Sequence, residues 1–138
     1  MNPADIGKIE SEVLQAFEGL VEASRLLDPA LYFEYYDKEK FTGLNADGKV
    51  WLSIEGLESL IMSGFPAIER SLSLEFANVK VTVIDRSTAI LVNEFKQSLL
   101  LKDGRTVNSS GGGVQVWHLF QDKWKLVSVS ASDASPTT

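Results

Sequence analysis

Thr88–Ser132 reads TAILVNEFKQSLLLKDGRTVNSSGGGVQVWHLFQDKWKLVSVSAS, and its period of two decides the fold. Apolar and polar residues alternate along 88–101, 106–120 and 124–132, with Asp103-Gly104 and Gln121-Asp122-Lys123 as turn formers between them. Strand side chains point alternately to two faces, so three long runs joined by tight turns predict an antiparallel sheet. The same period begins earlier, in Leu72, Leu74 and Phe76 and then in Val79, Val81 and Val83. The change of phase between these two sets predicts a bulge near Ala77-Asn78, and Asp85-Arg86-Ser87 turns the chain into the next strand.

Upstream of Arg70 the apolar spacing is helical. Asn2-Pro3 is a cap followed by a proline suited to the first helical position, and Ile6, Ile9, Val13, Phe17, Leu20 and Leu27 recur at three- and four-residue steps. Asp28-Pro29 repeats the signal and predicts a break and a short second helix to Tyr36. Gly43, Asn45, Asp47 and Gly48 predict a turn between two brief strands, and Ser53 caps a third helix containing Leu57, Leu60 and Ile61 that bends or ends near Pro66. The reading is therefore α+β: three helices in the N-terminal half packed on a strongly curved antiparallel sheet, enclosing a cone-shaped pocket. It predicts a single domain over residues 1–134 and a disordered tail over 135–138.

Composition narrows the partners. The chain of 138 residues carries a formal charge of −6, and residues 1–40 hold nine acids against four bases. An acidic domain without a basic stripe is unsuited to the phosphate backbone, so no nucleic-acid partner is expected. No apolar run approaches the roughly 20 residues of a spanning helix. No membrane partner is expected, and the default localisation is cytoplasmic. The chain has no cysteine, which excludes disulfides and sulfur-bound zinc. No cofactor and no metal are expected.

The stretch Val114-Gln115-Val116-Trp117-His118, a turn, and then Lys123 to Ser132 resembles the ending of SnoaL-like members of the nuclear transport factor 2-like superfamily, which have a cystatin-like fold. It resembles the ketosteroid isomerase-like proteins and the calcium/calmodulin-dependent kinase II association domain in the same way. The resemblance implies a helix-backed cone open to small molecules. The family ending usually carries histidines in the last strand where this chain has Ser128 and Ser130, so the resemblance implies no histidine chemistry here. Members include isomerases, cyclases, dehydratases and non-catalytic modules, and fold alone does not choose among them.

Individual motifs favour plain structural roles. Asn45-x-Asp47-Gly48 lacks calcium-loop ligands at the first and twelfth positions, which are Gly43 and Ile54. Ser109-Ser110-Gly111-Gly112-Gly113 leads into a strand instead of a helix, so it predicts a bend and not a phosphate cradle. His118 is the only histidine and has no carboxylate at an obvious partner position. Tyr32, Tyr36 and Asp37 are the candidate acid and base, since Tyr32 and Tyr36 share a helix face; the same rings also suit the core with their hydroxyls at its rim. Arg70 and Glu94 are further candidates.

Alternation sorts the strands into an inner and an outer face. Asn93, Phe95, Gln97 and Leu99 share one face; Gln115 and Trp117, and Val127, Val129 and Ala131, complete an expected lining in the family register. Of these, Asn93, Phe95, Gln97, Gln115, Trp117 and Val129 are the expected ligand-binding residues. Trp124, Leu126, Val114, Val116, Ser128, Ser130 and Ser132 are then expected on the convex face, where the apolar ones predict a homodimer formed back to back. A neutral, partly apolar lining predicts a small ligand of the same character. An isomerase, cyclase or dehydratase using Tyr and Asp is the enzymatic alternative, and a dimerisation or protein-interaction module the third.

Overall fold

Proline and its preceding cap set the two ends of the N-terminal helices. In the computed structural model, which describes residues 1–134, α1 spans Pro3–Arg25 and the Asn2 side chain accepts the Asp5 N–H at 2.9 Å. Its Ile9, Val13, Phe17, Leu20 and Val21 are buried on one side, as the spacing requires. Asp28 caps α2 (Pro29–Glu34) by accepting the Leu31 N–H at 3.2 Å. This helix stops short of Tyr36 because Tyr36 leaves it to make a parallel bridge with Leu126. The tail expected from Ser135 lies outside the described residues.

The short strands β1 (Thr42–Leu44) and β2 (Val50–Trp51) close over the Asn45–Lys49 turn, where Gly48 takes φ +91°. Ser53 caps α3 (Ile54–Gly64), whose Ile54 and Leu57 are buried. A single 3-10 turn around Pro66 then delivers the chain to β3 (Ile68–Asp85). The remaining strands are β4 (Thr88–Leu101), β5 (Thr106–Phe120) and β6 (Lys123–Asp133).

The six strands form one curved, unclosed sheet in the order β2-β1-β6-β5-β4-β3. The four long strands are antiparallel neighbours, but the sheet is mixed: β1 runs parallel to β6, with Thr42 opposite Ser128 and Leu44 opposite Ser130. This corrects the all-antiparallel expectation. Strands that pair across more than eighty residues leave no local turn signal.

The β3–β4 pairing shifts register at four places and the β5–β6 pairing at one, and two of these shifts decide how the expectations fare. The first shifts the β3–β4 register between Ala77 and Lys80, where Asn78 sits at φ +53°. The second lies between β5 and β6: Val116 faces Ser128, whereas the next residue, Trp117, faces Leu126. Val127 is the extra residue, and a single insertion inverts the parity of every position before it. Trp124 and Leu126 are therefore buried and belong to the core, not to the convex face as expected. Val127 correspondingly leaves the lining proposed for it.

The core lies between α1 and the concave side of the sheet, where Val13, Ala89, Leu91, Trp117 and Leu126 are fully enclosed. Burial of each large apolar side chain of this kind stabilises by about 1.5–3 kcal/mol. The opposite face leaves Val92 and Val114, a cross-strand pair, 39% and 44% exposed. Among the described residues no helix is long and apolar enough to cross a membrane.

Candidate ligand-binding cavity

The core does not fill the cone completely. Toward the end of α1 the packing opens into a cavity of about 200 Å³. One turn-spaced stripe of α1, Phe17, Leu20, Val21 and Ser24, forms its helical wall, and Leu74 and Phe76 of β3 its flank. The sheet contributes Asn93, Phe95 and Gln97 from β4, Gln115 from β5, and Val129 and Ala131 from β6. Phe17 and Phe76 meet edge to face, with ring centroids 5.0 Å apart.

Five of the six sheet residues singled out from the sequence thus meet in one cavity. The sixth, Trp117, is fully buried behind it, and its indole N–H donates to Gln115 Oε1 at 2.9 Å. Asn93 stands opposite Gly113 in the β4–β5 register, and a Cβ on that glycine would lie 3.7 Å from both Asn93 amide atoms. The absence of a side chain there leaves the carboxamide lying over bare backbone. Leu99 is partly buried on the same strand but does not line the cavity.

Tyr32 and Tyr36 reach the cavity from the helical side. Tyr36 Oη donates to Tyr32 Oη at 2.6 Å, and the two rings are tilted with centroids 5.1 Å apart. Burial pushes both phenols above their ordinary pKa, Tyr36 furthest, because a phenolate beside another phenol has lost its water. The pair is therefore neutral across the physiological range.

Asp37 does not join them. Tyr36 bridges Leu126, the Asp37 N–H donates to the Leu126 carbonyl at 2.9 Å, and strand-like alternation sends the next side chain the other way. The Asp37 carboxylate accepts the Lys40 N–H at 2.9 Å and faces an open groove with Asp28, Glu34 and Lys125. This corrects the pairing of the phenols with Asp37 as a base inside the cone. Among the described residues, no Asp, Glu, His, Lys or Arg lines the cavity.

The other candidates have structural surroundings. His118 Nδ1 lies 3.2 Å from Thr88 Oγ1, and its ring packs edge to face on Phe120 at 4.8 Å. Arg70 and Glu94 are exposed. The glycine run lies in the middle of β5, where a Cβ on Gly111 would clash with the Ser132 carbonyl oxygen; close approach of β6 excludes any side chain there. Asn45, Asp47 and Gly48 make an ordinary hairpin turn. The α1 stripe, Leu74 and Phe76 were missed as lining; periodicity marks their faces as inward without telling a filled position from one beside a void.

No protein-family model matches the sequence, and no curated protein matches it. Solved structures do match in shape. A nuclear transport factor 2-like superfamily protein from Salmonella enterica serovar Typhimurium aligns at TM-score 0.81 and 15% identity, over 96% of this chain and 95% of that one. A ketosteroid isomerase-like protein from Erwinia carotovora atroseptica aligns at 0.77 and 12% identity, over 92% and 97%. A type 2 hexachlorocyclohexane dehydrochlorinase aligns at 0.80 and 8% identity, over 99% and 92%. At such identities the likeness is one of fold.

Proposed function

From its nuclear transport factor 2-like fold and the chemistry of its cavity, we propose that the protein is a cytoplasmic receptor for a small, neutral, partly apolar molecule held between sheet and helices. The observation that carries this reading is the cavity wall: aromatic and aliphatic surface interrupted by two phenols, three carboxamides and the Ser24 hydroxyl, with no carboxylate, histidine, lysine or arginine among the described lining residues. A dry apolar cavity of about 150 Å³ admits a benzene ring. A volume of about 200 Å³ therefore suits one ring with a substituent.

The rival reading, an isomerase, cyclase or dehydratase, needs a group that accepts a proton within reach of the phenols. Asp37 was the sequence candidate for it, and its carboxylate bonds Lys40 outside the cone. The receptor reading is tested by following thermal unfolding with neutral ring compounds such as toluene. A saturable rise in Tm is expected in the wild type, since a ligand bound only by the folded state stabilises it by mass action. Ala131→Phe, which fills the cavity, should abolish the rise without lowering Tm in buffer by more than a few degrees. No saturable rise with any such compound refutes the reading.

We also propose that two copies associate through the convex sheet face. The half-exposed pair Val92 and Val114 supports it, flanked on the same face by Ile90 and Val116. Four apolar side chains contiguous across two strands form a patch that a second sheet would cover.

A further inference from the structure

We infer that Asn93 is the polar anchor of the cavity, and that the molecule it selects carries a cis-amide edge, an N–H beside a C=O, as a lactam ring does; this rests on the receptor reading above. Asn93 is 8% exposed, and its carboxamide has no hydrogen-bond partner among the described residues. Every fully sealed side-chain nitrogen or oxygen among those residues has a partner, so the unbonded amide atoms of Asn93 open onto the cavity that it lines. Gly113 stands opposite, and the Cβ it lacks would lie 3.7 Å from both amide atoms. The missing methyl leaves room beside the two atoms together.

The rest of the polar lining is less demanding and offers both polarities. Gln115 has its amide oxygen on the Trp117 indole and keeps its NH2 and one lone pair. The Tyr32–Tyr36 pair keeps one proton and its remaining lone pairs. Ser24 and Gln97 add donors and acceptors of their own and are only partly buried. Polarity summed over the wall therefore selects nothing, and the choice falls to the group that is both enclosed and unbonded. A carboxamide presents an N–H and an acceptor oxygen side by side on one planar edge. A ketone meets the NH2 and leaves Oδ1 unpaired, whereas a cis amide accepts from Nδ2 and donates to Oδ1, the two-point pairing that asparagine makes with an adenine edge. A ring holds its amide cis; an open-chain secondary amide prefers trans and turns the two groups apart. The ring is neutral, because no charged side chain among the described lining residues would replace the hydration of an ion.

The test follows amide signals by NMR while the wild-type protein is titrated with 2-piperidone and with cyclohexanone, rings of one size and one carbonyl that differ in N–H against CH2. The affinity ratio of 2-piperidone to cyclohexanone is expected to fall about tenfold in Asn93→Leu and at least about threefold in Gly113→Ala, whose methyl covers the amide edge. Comparing the ratio between proteins cancels the different hydration of the two rings. The Gly113→Ala methyl meets the Ser130 carbonyl oxygen at 3.4 Å, an ordinary contact, so this variant carries the test should Asn93→Leu not fold. The assigned side-chain amide signals of Asn93 should shift as 2-piperidone saturates. Unchanged ratios in the variants, or Asn93 signals that stay fixed while 2-piperidone binds, overturn the anchor assignment and leave the receptor reading standing. Binding of cyclohexanone or toluene without 2-piperidone does the same, and binding of none of the three refutes the receptor reading itself.

Discussion

Trp124 of β6 donates its indole N–H to Glu12 of α1 at 3.1 Å, joining residues 112 apart in the chain. Trp124 is 7% exposed, so the bond is sheltered, and a hydrogen bond to a charged acceptor is worth about 1.5–3 kcal/mol. Glu12→Ala is expected to lower stability by about 1–2 kcal/mol in urea unfolding. The loss should shrink to a few tenths in a Trp124→Phe background, because the partner is already gone. Additive losses would mean that the pair contributes nothing as a pair.

Glycine substitutions separate close approach from mere flexibility. A Cβ at Gly111 meets the Ser132 carbonyl, which is backbone and cannot swing aside, whereas one at Gly7 on α1 meets nothing within 4 Å. Gly7→Ala should stabilise by about 0.5–1 kcal/mol through helix propensity. Gly111→Ala should force β5 and β6 apart and cost about 2 kcal/mol or more, as overpacking against a fixed neighbour does. Thermal or urea unfolding of the two variants should shift in opposite directions.

The sequence was readable where chemistry is local. Asp28-Pro29, Asp103-Gly104 and Asn78 each carry their own conformational instruction: a cap, a φ of +90° at Gly104, a φ of +53° at Asn78. Tyr32 and Tyr36 could be paired because four residues make a helical turn. Val127 could not be read as a bulge, since Leu126-Val127-Ser128 contains nothing but good strand residues and the insertion is defined only against β5. Trp124, Leu126 and Asp37 were misplaced for that same reason. Their facing is decided by partners on other segments: Leu119 of β5 for Trp124, Trp117 of β5 for Leu126, and the Tyr36–Leu126 bridge for Asp37.

Asn78 marks the bulge that lets β3 follow the curve of the sheet. A β-branched side chain in the left-handed region costs about 1–2 kcal/mol, which asparagine largely avoids. Asn78→Val should lower stability by that amount, and Asn78→Gly should be neutral within about 0.5 kcal/mol. Equal effects from the two would place the cost in side-chain contacts, not in the backbone.

The proposed sheet-to-sheet association predicts a change of mass with one charge. Val114 is 44% exposed on the outer face, so Val114→Glu should leave the fold intact by circular dichroism. In light scattering at micromolar concentration the wild type should have the mass of two chains and Val114→Glu that of one. A wild-type monomer under these conditions removes the association.

The phenol pair should be visible in the alkaline limb of stability. Burial raises both pKa values above the unfolded value of about 10, so the folded state keeps protons that the unfolded chain has already released. The sign follows from linkage: where the unfolded state binds fewer protons, stability falls as pH rises. The stabilisation is complete below about pH 10 and is lost progressively from there up through the folded pKa values. Unfolding free energy measured between pH 8 and 11 should decline more steeply in the wild type than in the Tyr32→Phe/Tyr36→Phe double variant. Tyr36→Phe alone should flatten the decline more than Tyr32→Phe alone, because Tyr36 carries the larger upward shift. Parallel slopes in wild type and double variant would assign the alkaline loss to other groups and show that these two hydroxyls ionise as freely as in the unfolded chain.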